Sequence, residues 1–339
     1  MKNTLIHQFT STFVAVLVLA VTGCNQRSVP PTNTEANTVK KVSLRLPWLF
    51  NVEAAGIFVA KEKGYYRDAG LDLTVNAGGI GLDPVQLVNG GSDDIGICDG
   101  AAVIIGRSKG LPVRAVAAEY QKSPLCYVTL KKSGISTVKD FKGKRIGTQP
   151  FQLYLLQTML AANGMTLNDV QNVPVQFDIR PLIEGQVDAF ASFVSDEPIQ
   201  LALKNIESQT VMAAENGYPF YANVIFSTDK TIKEHPEIIR AFIAATFKGW
   251  KDVVADPDAA AKLVVEKYNK ELTYEQQKRS VKVISDLLTA NLGQNAMGHM
   301  TIDRWKQSIE TLTKYEQISS PVKAEDLVSM EFQNAVSAK

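Results

Sequence analysis

From Val42 onward, short runs of alternating hydrophobic and polar positions are separated by longer segments with helical spacing. The run VSLRLPW predicts a strand, AAGIFVAKEKGYYRDAG predicts a helix that closes on Gly70, and LDLTVNAGG predicts the next strand. A short helix, DPVQLVN, follows with Asp83 as its cap and Pro84 at its first position, and DDIGICD is the third strand. This βαβα order is typical of a mostly parallel sheet flanked by helices.

The chain then starts a second set of elements. LCYVTLKKSG, VPVQFDI and VDAFASFV predict strands, PFQLYLLQTMLAANG and EPIQLALKN predict helices, and everything from His235 onward predicts helices. We therefore expect an α/β protein with two lobes, the second inserted into the first. The expected bounds are 41–126 together with 223–339 for lobe I and its C-terminal helices, and 127–222 for lobe II.

The first 24 residues carry an apolar run from Phe13 to Val21 behind an early Lys2. Because a membrane-spanning helix needs roughly 20 apolar residues, this shorter run indicates a secretory signal peptide. Its ending, VTGC, resembles the lipobox of bacterial lipoproteins, which implies a lipid on Cys24; a buried thiol near an ordinary cleavage site is the alternative. Residues 25–40 are polar and rich in proline and threonine, so we expect a flexible tether.

The charge balance argues against one class of function, and the cysteine spacing indicates the state of the two remaining thiols. The chain has 36 basic and 35 acidic residues and no basic stripe with interleaved aromatics, so we expect no nucleic-acid binding. Cys98 and Cys126 are isolated and lack CxxC spacing. We expect them to be small buried residues, and one disulfide in an oxidising compartment is the alternative.

Motifs for catalysis and metal binding are missing. After the predicted signal peptide the only histidines are His235 and His299, and HExxH, GxSxG and CxxC do not occur. The stretch GGIGLDP begins like a dinucleotide-binding loop, but Pro84 occupies the position of the third glycine. A tight turn that lets backbone amides approach a ligand explains these glycines better. We expect a non-enzyme without metal or cofactor.

Residues that follow the predicted strands are the candidates for a site, because ligands of open parallel sheets bind beyond the carboxyl ends of the strands. Two segments that cross between the lobes, near 120–127 and 218–224, would form a hinge beside this cleft. The candidate ligand-binding residues are Trp48, Asn51, Gly79, Asp99, Gln149, Tyr154, Asp178 and Glu197. Aromatic rings and converging polar groups suit a small molecule. Core packing for Trp48 and a helix-start acid for Glu197 are the alternatives.

Several stretches together resemble the solute-binding proteins of ABC importers for nitrate, sulfonates, taurine and thiamine-pyrimidine precursors. They are WLFNVEAAGIFVAKEKGYYRDAGLDL, LVNGGSDDIGI, FKGKRIGT, LIEGQVDAFASFVSDEP and HPEIIRAFIAATFKGW, and the likeness runs from about residue 41 to 305. The resemblance implies the two-lobed type II periplasmic-binding-protein fold. It also implies an exported, membrane-anchored monomer that serves a permease and an ATPase.

Trp48 followed by Asn51, with an acid–proline pair after the last strand of lobe II, is similar to the branch that binds pyrimidines or riboflavin. The resemblance implies that Trp48 and Tyr154 stack on the ring and that Asn51 and Glu197 hydrogen-bond it. Ala54 departs from this pattern, because the pyrimidine binders often carry a histidine there. The alternatives are an anion-binding importer component, with Thr148 at a helix start, a heterocycle-converting enzyme on the same fold, and a sensory lipoprotein.

Overall fold

The structure, a computed structural model, describes residues 39–289, 293, 297–318 and 320–336. The described residues belong to one compact unit. The predicted signal peptide, Cys24 and nearly all of the predicted tether lie outside the described residues. The first strand begins at Lys40, one residue before the predicted start of lobe I.

Ten strands of the described chain form two five-stranded sheets. The first sheet has the order β2-β1-β3-β10-β4, and the second has the order β7-β6-β8-β5-β9. The strands are β1 Lys40–Arg45, β2 Leu71–Asn76, β3 Ile95–Cys98, β4 Val113–Tyr120, β5 Leu125–Leu130, β6 Arg145–Thr148, β7 Gln171–Pro174, β8 Ala189–Phe193, β9 Ser208–Met212 and β10 Ala222–Thr228. We call the first sheet with its helices the first lobe, and the second sheet with its helices the second lobe.

Helices flank both sheets. They are α1 Ala55–Glu62, α2 Tyr65–Asp68, α3 Pro84–Asn89, α4 Gly100–Ser108, α5 Leu153–Ala162, α6 Arg180–Ile183, α7 Glu197–Leu203, α8 Asp229–Glu234, α9 Pro236–Ala255, α10 Pro257–Leu263, α11 Tyr274–Thr289, α12 Ile302–Lys314, α13 Ala324–Leu327 and α14 Gln333–Val336. A π-helical turn, Val264–Tyr268, follows α10. The helix expected to run up to Gly70 is interrupted between α1 and α2, because Gly64 adopts a left-handed conformation with φ of 79°.

Each sheet is mixed, whereas the sequence pattern predicts mostly parallel sheets. In the first sheet β1 pairs in parallel with β2 and β3, but β10 is antiparallel to both of its neighbours. In the second sheet β5 is antiparallel to β8 and β9, while β6 is parallel to β7 and β8. The antiparallel strands are the ones that adjoin the crossings between the sheets. The expected α/β fold class with two lobes is confirmed.

The chain passes between the sheets twice. It leaves the first sheet at Tyr120 and enters the second at Leu125, and it returns between Met212 and Ala222. These two crossing segments lie beside the boundaries that the sequence predicts for the lobes.

Arg304 of α12 holds both crossing segments. Its guanidinium donates to the carbonyl oxygen of Gln121 at 2.6 Å in one segment, and to those of Pro219 at 2.9 Å and Phe220 at 3.0 Å in the other. The guanidinium also lies 3.9 Å from the ring centroid of Tyr221. Because one rigid fork satisfies three backbone acceptors, the two crossings are tied into one pivot.

The C-terminal helices cover the first sheet. The buried side chains of Phe242 and Trp250 on α9 belong to the main core of the first lobe. Helices α1 and α9 approach so closely that a Cβ at Gly249 would lie 2.0 Å from the Gly56 carbonyl oxygen. Cys98 and Cys126 are buried free thiols, as the sequence predicts. Within the described ranges, no helix combines the length and the apolar character needed to cross a membrane.

Candidate functional site

Trp48 lies in the loop after β1, at the carboxyl end of the first sheet. The loop after β2 fixes its position, because Gly78 donates a backbone hydrogen bond to the Trp48 carbonyl oxygen at 2.9 Å. A Cβ at Gly78 would lie 2.4 Å from the Leu46 carbonyl oxygen, so only glycine fits there. Gly79 has φ of 152° and lies half-buried, and a Cβ there would meet Leu49 at 3.8 Å. The two glycines therefore shape the loop that carries the indole.

A small cavity of about 10 Å³ lies beside Trp48. Its lining residues are Leu46, Pro47, Trp48, Leu49, Asn51, Glu53, Ala54, Ile97 and Asn223. A cavity of this size holds about one water molecule at most, so an aromatic ring cannot enter without a movement of the walls. The lining combines an apolar part with three polar side chains, Asn51, Glu53 and Asn223.

The second lobe closes over the indole. Phe177, in the loop after β7, places its ring centroid 4.1 Å from that of Trp48, with 44° between the ring planes. Trp48 itself is half-buried, whereas the other two tryptophans, Trp250 and Trp305, are fully buried core residues. Trp48 therefore lies at the contact between the lobes, and Phe177 is a ring that the sequence analysis did not single out.

Glu53 crosses from the first lobe to the second. Its helical turn, Val52–Ala54, is capped by Asn51, whose Oδ1 accepts from the Glu53 backbone N–H at 2.8 Å. The Glu53 carboxyl accepts from Ser195 Oγ of the second lobe at 3.3 Å. Burial and, next, the charge of Asp196 raise the pKa of Glu53 to about 7, although hydrogen bonds from Asn51 and Ser195 oppose the rise. Asn51 thus positions Glu53 as well as lining the cavity.

Asp196 makes a second polar contact between the lobes. Its Oδ1 accepts from Gln276 Nε2 of α11 at 2.6 Å and from Gln200 Nε2 of its own lobe at 3.0 Å. Burial raises the pKa of this carboxyl. Together with the pair Glu53–Ser195 and the pair Trp48–Phe177, this contact joins the two lobes at the mouth of the cleft.

Asp99 and Tyr154 are joined through Tyr218. Asp99 caps α4, with Oδ1 accepting from the Ala101 backbone N–H at 2.8 Å and from the Tyr218 hydroxyl at 2.8 Å. The rings of Tyr154 and Tyr218 have centroids 6.3 Å apart. Burial raises the pKa of Asp99 to about 6, and its Oδ2 is buried without a hydrogen-bond partner. Two predicted site residues from different lobes therefore meet in one cluster.

Gln149 and Glu197 lie at the carboxyl ends of strands in the second lobe. Gln149 donates to the Ala191 carbonyl oxygen at 3.2 Å, and its own amide oxygen is buried without a partner. Glu197 accepts from Ser192 Oγ at 2.7 Å and from the Phe193 backbone N–H at 3.2 Å. Burial and, next, the charge of Asp196 raise the pKa of Glu197 to about 8. Glu197 is also the first residue of α7, as the helix-start interpretation predicts, and its contact with a ligand stays a prediction.

Asp178 makes polar contacts with Arg180 of its own lobe. Its carboxylate accepts from the Arg180 backbone N–H at 2.9 Å and is paired with the Arg180 guanidinium, and its side chain is 41% exposed. This hydrogen bonding lowers the pKa of Asp178. The residue therefore acts here as a partner of Arg180 at the start of α6.

The sequence pattern does not point to Glu53 or Phe177 as candidate site residues, and it offers Ser195 and Asp196 only as part of the stretch SDEP that contains Glu197. Glu53 follows Asn51 by two positions in the stretch WLFNVEAAG, and Ser195 and Asp196 precede Glu197 in SDEP. The neighbourhood of these predicted residues was the available signal. Nothing local to Phe177 distinguishes it from the other phenylalanines of the chain.

Several buried carboxyls have raised pKa values, and we therefore expect the unliganded protein to lose stability as the pH rises. The pKa values are about 6 for Asp99, about 7 for Glu53, and about 8 for Glu119 and Glu197, all above ordinary values. The native state therefore binds more protons than the unfolded state between pH of about 4.5 and 8, so unfolding becomes easier across this window. Acids with lowered pKa values, such as Asp140, titrate below it. Calorimetry should give a melting temperature several degrees higher at pH of about 5.5 than at about 8.5.

Glu119→Gln provides the matching control for this pH dependence. Glu119 is fully buried outside the cavity, and its carboxyl accepts from Trp250 Nε1 at 2.9 Å, a bond that a glutamine carbonyl can retain. The variant should show a smaller difference between the two pH values. An equal or higher melting temperature at the alkaline pH would contradict the expectation for the native protein.

Comparison with known proteins identifies the class. The sequence model of the NMT1/THI5-like family matches residues 51–260, which is more than half of the chain. The chain therefore belongs to the NMT1/THI5-like family.

Three relatives show the range of proteins that this chain is similar to. It is 25% identical to the riboflavin-binding protein RibY of Chloroflexus aurantiacus, over 94% of this chain and 95% of the relative. It is 26% identical to the formylaminopyrimidine-binding protein of Halalkalibacterium halodurans, over 94% and 97%. It is also 26% identical to a 4-amino-5-hydroxymethyl-2-methylpyrimidine phosphate synthase, THI12, of Saccharomyces cerevisiae, over 73% and 78%. The two relatives that match almost end to end are binding proteins.

Solved structures support the two-lobed fold. The periplasmic aliphatic sulphonate binding protein SsuA from Escherichia coli superposes with a TM-score of 0.66 at 14% identity, covering 86% of this chain and 92% of that chain. At this identity the likeness concerns the fold. The architecture is that of the periplasmic binding proteins, as the sequence resemblance implies.

Proposed function

We propose that this protein is the substrate-binding component of an ABC importer and captures a small planar aromatic heterocycle, of the thiamine-pyrimidine or flavin kind, between its lobes. The observation that carries the proposal is the position of Trp48. Its half-buried indole lines a cavity with Asn51 and Glu53 and meets Phe177 of the opposite lobe at 4.1 Å. The names of the two end-to-end relatives point to the same class of ligand.

Binding requires the lobes to separate and close again. Stacking on one ring adds only about 0.5–1.5 kcal/mol beyond area burial, whereas micromolar affinity needs roughly 8 kcal/mol. A planar ligand between two aromatic walls places their planes about 7 Å apart, since each contact is about 3.5 Å. The present centroid distance of 4.1 Å between Trp48 and Phe177 leaves no such space. The ligand therefore enters an open form, and closure buries both of its faces.

The hinge transmits this closure to a membrane partner. The two crossing segments, held by Arg304, allow the second lobe to rotate against the first, and the closed form is the one that a permease with its ATPase would recognise. A lipid on Cys24 would retain the protein at the outer face of the membrane. A flexible tether of some sixteen residues has an r.m.s. reach of about 20–25 Å, which is sufficient for docking.

An anion is the second candidate ligand, because the fold also resembles a sulphonate-binding protein. The hydroxyl that would serve an anion, Thr148 Oγ1, is buried and already hydrogen-bonded to the Tyr127 hydroxyl at 2.9 Å. The following Gln149 directs its amide N–H to the Ala191 carbonyl oxygen. These contacts favour the heterocycle over the anion.

We take the protein to bind its ligand without converting it. The binding-protein relatives match 94% of this chain, whereas the synthase matches 73%. Incubation with candidate pyrimidines and flavins followed by mass spectrometry should return them unchanged. A sensory role without transport would use the same cleft, and permease and ATPase genes beside this one would favour import.

A thermal-shift panel tests the proposed ligand class. The compact unit that starts at Thr38 is suitable, because it includes both lobes. Pyrimidines or flavins should raise its melting temperature, since a ligand at a hundredfold excess over its Kd stabilises by about 2.7 kcal/mol. Stabilisation by taurine, other sulfonates or nitrate alone would show that the heterocycle assignment is wrong.

A further inference from the structure

The position of Glu53 allows its carboxyl to hydrogen-bond the edge of a ligand ring. It lines the same cavity as Trp48 and Asn51. Its helical turn is fixed at one end by the Asn51 cap, and Val52 N–H donates to Gln277 Oε1 of α11 at 3.2 Å. The carboxyl therefore has a defined location next to the indole face.

The carboxyls of the two lobes converge at this point. Glu53 approaches Ser195 at 3.3 Å, and the charge of Asp196 acts on both Glu53 and Glu197. Asp196 is held in place by Gln276 of the first lobe. Among the described residues that line the cavity, none is a lysine or an arginine. The carboxyl oxygens therefore offer hydrogen-bond acceptors, and this lining has no cation to pair with an anionic ligand.

Most of the rest of the cavity wall is apolar. Leu46, Pro47, Ala54 and Ile97 contribute apolar surface to the lining. A ligand that fits both parts carries its polar donors on one edge and an apolar edge, such as methylated carbon, on the other. A donor on the apolar side would be buried without a partner, which is unfavourable.

We propose that Glu53 is a specificity-determining residue that accepts a hydrogen bond from a ring N–H or an exocyclic amine of the heterocycle lying against Trp48. The substrate class is then an uncharged or cationic nitrogen heterocycle with an N–H donor on one edge, and anions are rejected. This inference rests on the proposed function, since it places the heterocycle in the same cavity. It adds the requirement for a donor, which stacking on Trp48 does not impose.

Matched ligand pairs test the requirement for a donor. Isothermal titration of the compact unit with an aminopyrimidine and its dimethylamino analogue, and with riboflavin and its ring-N-methyl analogue, compares the same rings with and without the N–H. The native protein should bind the donor-bearing member of at least one pair ten times more tightly or better. Equal Kd values for the two members of every pair that binds would overturn the inference and leave the proposed function standing. Failure of all four compounds to bind would overturn the proposed function itself and the inference with it.

Substitution of Glu53 assigns the preference to this residue. Glu53→Ala should bring the two members of the discriminated pair to within about threefold of each other, while Glu207→Gln, at an exposed glutamate of the second lobe, should retain the native ratio. Ser195→Ala provides a second readout if Glu53→Ala does not fold, because it frees the Glu53 oxygen from its present donor and should preserve or increase the preference. An unchanged ratio in Glu53→Ala, or a ratio abolished in Ser195→Ala, would overturn the assignment.

Discussion

Trp48→Ala is expected to abolish the ligand-induced rise in melting temperature. The substitution removes one aromatic wall of the cavity, and the lost burial and stacking amount to about 2–4 kcal/mol, or about 30- to 1000-fold in Kd. The melting temperature without ligand should change little, because the indole is half-buried and meets Phe177 only across the lobe contact. Thermal shift and isothermal titration with the best ligand of the panel measure both quantities.

Two further variants control this experiment. Trp48→Phe keeps a ring on the same loop and should retain most of the affinity. Trp250→Ala should instead lower stability by about 3–5 kcal/mol, since that indole is fully buried against the first sheet. If Trp48→Ala unfolds as readily as Trp250→Ala, Trp48 is a core residue and the ligand loses its principal wall.

Arg304→Leu is expected to lower the free energy of unfolding by about 2–4 kcal/mol. The substitution leaves the carbonyl oxygens of Gln121, Pro219 and Phe220 without their donor, and each buried acceptor left unpaired costs about 1–3 kcal/mol, part of which water can recover at this half-buried place. Urea unfolding followed by circular dichroism measures the loss. Arg304→Lys should fall in between, because an ammonium lacks the planar fork that reaches both crossings.

Arg279→Leu is the matched control for the hinge arginine. Arg279 lies on α11 with a half-exposed side chain, and it pairs with Glu275 of the same helix at 2.9 Å. Exposed pairs of this kind contribute about 0.3–0.5 kcal/mol, so little change is expected. An unfolding midpoint of Arg304→Leu equal to that of Arg279→Leu would show that the three carbonyl contacts are dispensable.

Much of the fold can be predicted from local sequence patterns. Asp83 and Pro84 predict the start of α3, and the structure has Asp83 Oδ1 accepting from the Val85 backbone N–H at 2.8 Å. The run LDLTVNAGG, which predicts a strand, contains β2, Leu71–Asn76. These elements are predictable because caps and periodicity depend on residues within one turn or one strand. The break at Gly64 was missed, because a glycine inside a helical pattern need not interrupt it.

The residues of the candidate site divide in the same way. Trp48, Asn51 and Glu197 are identifiable because each follows a strand, and parallel strands bring their carboxyl ends to one edge. Which side chains they face is not encoded locally: Phe177 and Ser195 are 129 and 142 positions away from their partners Trp48 and Glu53. Asp178 also follows a strand, and in the structure the guanidinium of Arg180, two positions later, pairs with its carboxylate.

By itself, the sequence determined the alternation of strands and helices, the two-lobed class and the loop that carries Trp48, because these depend on short-range patterning of apolar positions, caps and glycines. Only the tertiary structure decided that each sheet is mixed, that Arg304 joins the two crossings, and that Glu53 meets Ser195 and the charge of Asp196 from the other lobe. Such contacts depend on how the chain returns between lobes, and the free energy of burying a carboxyl depends on neighbours that only the folded chain brings together.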